Sequence, residues 1–315
     1  MSDGVQDELW PHFTPLWTDL RTIAPGLLLA GGYRLFLKQR WLVSQLHFLA
    51  VEDGDLLVTD EGEEIVVDDV RTLVPIHRWK EQTPRVTKDF DFIASLDLIA
   101  SPKEQRRLHA ALEKHGFRVV PANARWQFAK QIGAGRTVVL DFHSPSPDGK
   151  RDDLRVQSRR VKPHRSLGQT GIHGRENPEA ISAELHPFSF TCEGVEIVLP
   201  NPVTLAMMKL VAMRDRRLAS QNPAKSAGER QSEDGQARKH AEDVCRVLGM
   251  LTREESELAG SVLNAVRRKP VFAEAGETFA KFFQDDEGWG AQAVAGMWET
   301  EDFQLIRKTL AAWLH

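Results

Sequence analysis

The chain has 315 residues, 41% of them hydrophobic and 27% charged, with a formal net charge of −4. That length allows two domains with a buried core, and the acidic balance excludes a polybasic nucleic-acid binder, so any such role must rest on local segments. The two cysteines, Cys192 and Cys245, lie far apart in no CxxC pattern, which argues against both a disulfide framework and a zinc site.

In chain order, the first eight residues are acidic rather than signal-like, and no apolar run approaches the ~20 residues a membrane helix needs. A soluble protein of a reducing cytoplasm, with no membrane partner, is expected. Residues 14–24 read as a helix, with Thr14 as its cap and Pro15 at its first position. Leu27 to Ala30 read as a buried strand, Gly31-Gly32 as a turn, and Tyr33 to Arg40 as a helix. Two short strands at 56–58 and 65–67 flank a turn and suggest an acid-rich insertion at about 45–82. Residues 89–94 alternate polar and apolar, as a strand does. Ser101 caps a helix over 102–115, which Gly116 ends. A strand at 117–120 follows, and 126–132 with 137–142 read as a hairpin.

Residues 148–178 are polar and basic and read as a long loop. Strands return at 188–192 and 195–199. Helices follow at 203–218, 238–251, 253–266 and 302–314. The stretch at about 219–237 has almost no apolar residue and reads as a mobile loop. The fold class expected is α+β: a mixed sheet flanked by helices over 1–200, then a helical domain over 201–315.

The chemistry centres on Asp89 and Asp91. Two apart on a strand, they share one face, where they can hold a divalent cation between them or sit as an exposed polar edge. Asp141 interrupts the apolar strand Thr137-Val-Val-Leu-Asp-Phe-His143. It is either solvated at the strand end or held by a partner, and a shared magnesium ion would be such a partner. Gly31-Gly32, between strand and helix, lets backbone amides approach a phosphate or simply makes a tight turn. Lys209 lies on an otherwise apolar helix face, where it snorkels or meets an anion. Lys239 and Asp243 are four apart on a helix and can pair with each other. Asp215 is crowded by arginines. The segment 150–165 places Arg151, Arg155, Arg159, Arg160, Lys162 and Arg165 in a local positive patch, which can track nucleic-acid phosphates, close over a triphosphate or remain a solvated loop.

Gly31-Gly32 after an apolar strand, Arg85-Val-Thr-Lys-Asp-Phe-Asp91, and a lone strand aspartate together resemble the DNA polymerase β-like nucleotidyltransferase superfamily. Asn201-Pro-Val-Thr-Leu-Ala-Met-Met-Lys209 and Lys239-His-Ala-Glu-Asp243 look like the two following helices of its AbiEii/AbiGii toxin family. The resemblance spans most of residues 27–251. It implies a nucleotidyltransferase fold. Asp89, Asp91 and Asp141 would be the catalytic carboxylates that hold Mg2+ or Mn2+. Gly31, Gly32, Lys209, Asp215, Lys239 and Asp243 would surround the nucleotide, with Lys209 also serving catalysis. The implied reaction moves a nucleotidyl group from an NTP to a hydroxyl of RNA (a tRNA is the family analogy) or of a protein. The implied role is that of a toxin or phage-defence effector with an antitoxin partner. The alternatives are a non-catalytic nucleotide- or RNA-binding member of the same fold and, more remotely, a kinase that moves the γ-phosphate.

Overall fold

A computed structural model describes residues 7–45, 56–58, 64–66 and 87–314, apart from 124, 134, 148, 150, 166 and 167. Most of the insertion expected at 45–82 lies outside the described residues. The described residues fall into two compact units. The first holds 7–34, 87–180 and 189–199, and the second holds 35–45, 56–58, 64–66, 181–188 and 200–314.

The chain opens with α1 (Trp10–Ile23), β1 (Leu28–Ala30) and α2 (Gly31–Gln45), then β2 (Leu56–Val58) and β3 (Glu64–Val66). The last two pair antiparallel in the second unit. Helix α1 starts one turn before the expected Thr14. Pro11 occupies its first turn, and the Asp7 carboxylate accepts hydrogen bonds from the amides of Leu9 and Trp10. A side chain three residues before the helix thus does the capping that Thr14 was expected to do, and Pro15 falls inside the helix.

Next come β4 (Asp89–Ile93), α3 (Leu96–Ala100), α4 (Pro102–Lys114), β5 (Arg118–Val119), β6 (Gln127–Gln131) and β7 (Thr137–Ser144). Ser101 caps α4 as its sequence predicts. The segment expected as a long loop at 148–178 instead holds β8 (Leu154–Val156), β9 (Arg160–Pro163) and β10 (Gly174–Glu176). These strands are short, and only one face of β9 is buried, through Val161 and Pro163. A polar sequence therefore hid a period-two pattern.

The first unit is built on a mixed sheet ordered β1-β4-β7-β10-β9-β8, with β6 also on β7 and β5 on β6. Strand β4 runs parallel to β7 and antiparallel to β1. Alternation along β4 and β7 sends Phe90, Phe92, Leu140 and Phe142 into the core. Helix α1 covers that face: Phe13 meets Phe90 at 5.3 Å between ring centroids, and Trp17 stacks on Phe92 at 5.6 Å. Each fully buried aromatic contributes about 1.5–3 kcal/mol, so this aromatic layer fixes the register of the opposite, polar face. Strands β11 (Phe188–Cys192) and β12 (Val195–Leu199) form a hairpin, and Trp17 Nε1 donates to the Glu196 carbonyl at 2.7 Å.

The second unit is mainly helical, with α5 (Pro202–Ser220), α6 (Ala227–Gly249), α7 (Arg253–Val266), α8 (Pro270–Phe282), α9 (Trp289–Ala293) and α10 (Thr300–Leu314). The stretch at 219–237, expected as a mobile loop, becomes helical at Ala227. Ser226 and Glu229 form a capping box, and Arg216–Glu233 (2.8 Å), Arg217–Asp234 (2.7 Å) and Lys225–Glu233 (2.6 Å) tie the early turns of α6 to α5 and to the connecting turn. Charge pairing thus replaces apolar burial there. The pairs 209–243 and 217–234 run in opposite directions along the two helices, so α5 and α6 are antiparallel. Their apolar faces, with Leu210, Met213, Val244 and Leu248, join a core reaching Phe279 and Ile306. Among the described residues, no helix is long and apolar enough to cross a membrane.

Candidate functional site

The registry of β4 and β7 builds the site. Asp91 pairs with Asp141, Asp89 with Val139, and Ile93 with His143. Paired residues and those two apart share a face, so Asp89, Asp91, Asp141 and His143 all stand on the face opposite the aromatic layer. Ligand atoms of Asp91, Asp141 and His143 lie within 4.8 Å of one another, and the three residues form a group able to hold a metal ion. His143 Nε2 lies 3.1 Å from Asp91 Oδ1.

Asp89 stands on the same face but outside that group, and its carboxylate accepts a hydrogen bond from the Thr87 hydroxyl. Asp89 still stands on the face of Asp91 and Asp141, and its charge also raises the Asp141 pKa. His143, which the sequence reading did not include, joins Asp91 and Asp141 in the group able to hold a metal. The signal for His143 was present in the sequence as Asp141-x-His143, the spacing that puts two residues on one strand face.

Gly31 closes the site from β1. It has φ +68, and a Cβ there would stand 1.8 Å from Asp91 Oδ2. Only glycine fits both the backbone and the carboxylate. Helix α2 begins at this residue, so the expected strand–glycine–helix order is observed, with the glycines inside the first turn.

Electrostatics mark Asp141. Its pKa is pushed up to about 6, first by burial and then by the neighbouring Asp91 carboxylate, while Gln127 and His143 draw it down. One of its oxygens, Oδ1, is buried with no hydrogen-bond partner, and so is His143 Nδ1. Two close carboxylates with an orphaned oxygen call for a proton or a cation between them. A divalent ion fits this donor set. The carboxylates suit Mg2+ or Mn2+, and the imidazole tilts the choice toward Mn2+ or another transition metal.

The remaining expected residues fall in both units. In the second unit, Lys209 is buried and its Nζ lies 2.8 Å from Oδ2 of the fully buried Asp243. Asp243 thus pairs across helices with Lys209, and Lys239, expected as its partner, is exposed on α6. Asp215 is exposed and ion-paired to its neighbour Arg214 at 2.9 Å. In the first unit, Arg151 is taken by Asp97 (2.7 Å) and Asp153 (2.9 Å). Arg159 and Arg165 are exposed. Arg155, Arg160 and Lys162 converge, together with Arg125 and His173, on a cavity of about 300 Å³.

Comparison of the chain with family models, with curated proteins and with solved structures finds no match.

Proposed function

We propose that the chain is a metal-dependent nucleotidyltransferase whose first unit carries the nucleotidyltransferase-like fold and whose centre is Asp91, Asp141 and His143. The observation that carries this reading is the facing Asp91–Asp141 pair, with Gly31 at the start of a helix against it. It agrees with the sequence resemblance to the AbiEii/AbiGii family, which extends the proposal to a toxin or phage-defence role with an antitoxin partner.

A divalent cation bound there would neutralise phosphate charge and polarise the phosphorus. The chain's own residues do the rest. Gly31 leaves room at the helix start for a phosphate, where backbone amides favour an anion. His143 orients Asp91 through its Nε2. Asp141 takes the proton of the attacking hydroxyl. A bond forms from that oxygen to the α-phosphorus, the α–β bridging P–O bond breaks, and pyrophosphate leaves. The acceptor is a hydroxyl of RNA or protein.

The test is incubation with acceptor and either α- or γ-labelled ATP. Label transferred from the α-position only, and lost in Asp91→Asn and Asp141→Asn variants that still fold, supports the proposal. Transfer from the γ-position makes the protein a kinase, and transfer that persists in both variants removes the site assignment.

A non-catalytic nucleotide-binding protein is the second reading. The Lys209–Asp243 pair favours it, because the Asp243 carboxylate already balances the Lys209 charge. Nucleotide binding in a calorimeter with no product after long incubation would select it.

A further inference from the structure

The open face of the sheet continues past the carboxylates. His143 stands opposite Arg175 on β10, and Arg175 stands opposite Arg160 on β9. Lys162, two residues along, faces Arg155 on β8. With strands about 4.8 Å apart, the β9 cations lie roughly 10 Å from β7. One sheet face thus passes from a carboxylate cluster to a cationic one.

The cationic end surrounds the cavity of about 300 Å³, and among the described residues none lining it is acidic. Arg155, Arg160 and Lys162 make no ion pair among the described residues, in contrast to Arg151. Lys162 Nζ donates to the neutral Gln157 Oε1, and Arg160 Nε is buried with no hydrogen-bond partner. Burial, Arg155 and Arg160 all lower the Lys162 pKa. Like charges gathered without a counter-charge repel one another, and an anion between them relieves that repulsion.

The hairpin that presents these cations is fixed. Gln157 and Arg160 exchange backbone hydrogen bonds of 3.0 and 3.2 Å across a two-residue turn. Ser158 and Arg159 both hold positive φ there, +52 and +55. That turn geometry matches the twist of the flanking strands. Guanidinium groups match the oxygens of a phosphate with paired N–H donors, and a lysine adds a point charge.

We infer that this cavity is a phosphate-binding site, taking a phosphoryl group carried by a free nucleotide or by a nucleic-acid strand. The site stands on its own residues and does not depend on nucleotidyl transfer.

The test uses the full chain in EDTA, so that the carboxylate centre holds no cation. Binding of pyrophosphate, ATP and a 5′-phosphorylated single-stranded oligonucleotide is measured for the wild type, Arg160→Gln and Lys162→Gln. An Arg268→Gln variant on the second unit is the control for general charge. Binding of at least one probe, weakened about tenfold or more by Lys162→Gln and by a folded Arg160→Gln but not by Arg268→Gln, is the expected result. Lys162 lines the same cavity without the buried, unpartnered nitrogen of Arg160, so its variant keeps the test valid if Arg160→Gln fails to fold. Comparable binding of ATP and pyrophosphate assigns the phosphate to a free nucleotide. Preference for the oligonucleotide, with affinity falling steeply with salt, assigns it to a strand. Absence of binding by all three probes overturns the inference, as does binding unchanged in both cavity variants or weakened equally in the control.

Discussion

Asp91 and Asp141 stand opposite each other on adjacent parallel strands, and Gly31 closes against the same Asp91 carboxylate. That arrangement makes the glycine testable. Gly31→Ala places a Cβ 1.8 Å from Asp91 Oδ2 in a backbone of φ +68. The left-handed conformation alone costs about 1–2 kcal/mol, and the carboxylate must also move. Thermal melts should show that loss, and a Mn2+ titration should show weaker binding. Gly26→Ala, with nothing within 4 Å of its Cβ, is the control that should leave Mn2+ binding unchanged. Equal Mn2+ affinity in Gly31→Ala and the wild type would separate Gly31 from the site.

Asp141 predicts a pH effect. Its pKa of about 6 in the fold lies above the ordinary 3.8, so the folded chain binds this proton more tightly than the unfolded chain. The stability this provides is fully present below about pH 3.8 and is lost as pH rises through about 6. At about 1.4 kcal/mol per pKa unit, the loss is on the order of 3 kcal/mol. Metal-free Asp141→Asn should therefore gain stability relative to the wild type as pH rises from 4 to 7. Urea melts across that range give the difference, and parallel curves for the two proteins would refute the assignment.

Lys209 and Asp243 form a buried pair, so removing either leaves a buried charge less well compensated, although Asp243 keeps Arg246 at 3.9 Å. Lys209→Met and Asp243→Asn should each cost about 3–5 kcal/mol, and the double variant should cost much less than their sum. Chemical denaturation of the four proteins measures the coupling. Additive losses would show that the pair is not the structural unit of α5 and α6.

The start of α6 rests on its cap and its ion pairs. Ser226→Ala should cost about 1 kcal/mol and speed amide exchange in the first turns of the helix. Exchange at 227–234 already as fast as in an unstructured chain, in the wild type, would restore the expectation of a mobile loop.

How much of this was legible follows from where burial writes a pattern. Asp91 and Asp141 stood out because each interrupts a strand whose alternate positions are buried phenylalanine, valine or leucine. Which side chains converge was not readable, since register depends on β1, β6 and the aromatic layer packing together; that is why His143 was passed over. Strands β8 to β10 were read as loop because their outward residues are mainly arginine and lysine, and their few inward ones give too short a period. The first turns of α6 bury little apolar surface, and their partners lie on α5 and the connecting turn, which a local reading does not see. The Lys209–Asp243 pair was missed for the same reason: Lys239 was the sequence neighbour, and Lys209 the spatial one.

The most direct test of the central claim is equilibrium dialysis of Mn2+ against the wild type, Asp91→Asn, Asp141→Asn and Asp89→Asn. The account predicts one bound ion in the wild type, an affinity reduced by about tenfold or more in each of the first two variants, and a smaller loss in Asp89→Asn. No bound ion in the wild type, or binding that survives both Asp91→Asn and Asp141→Asn unchanged, would contradict it.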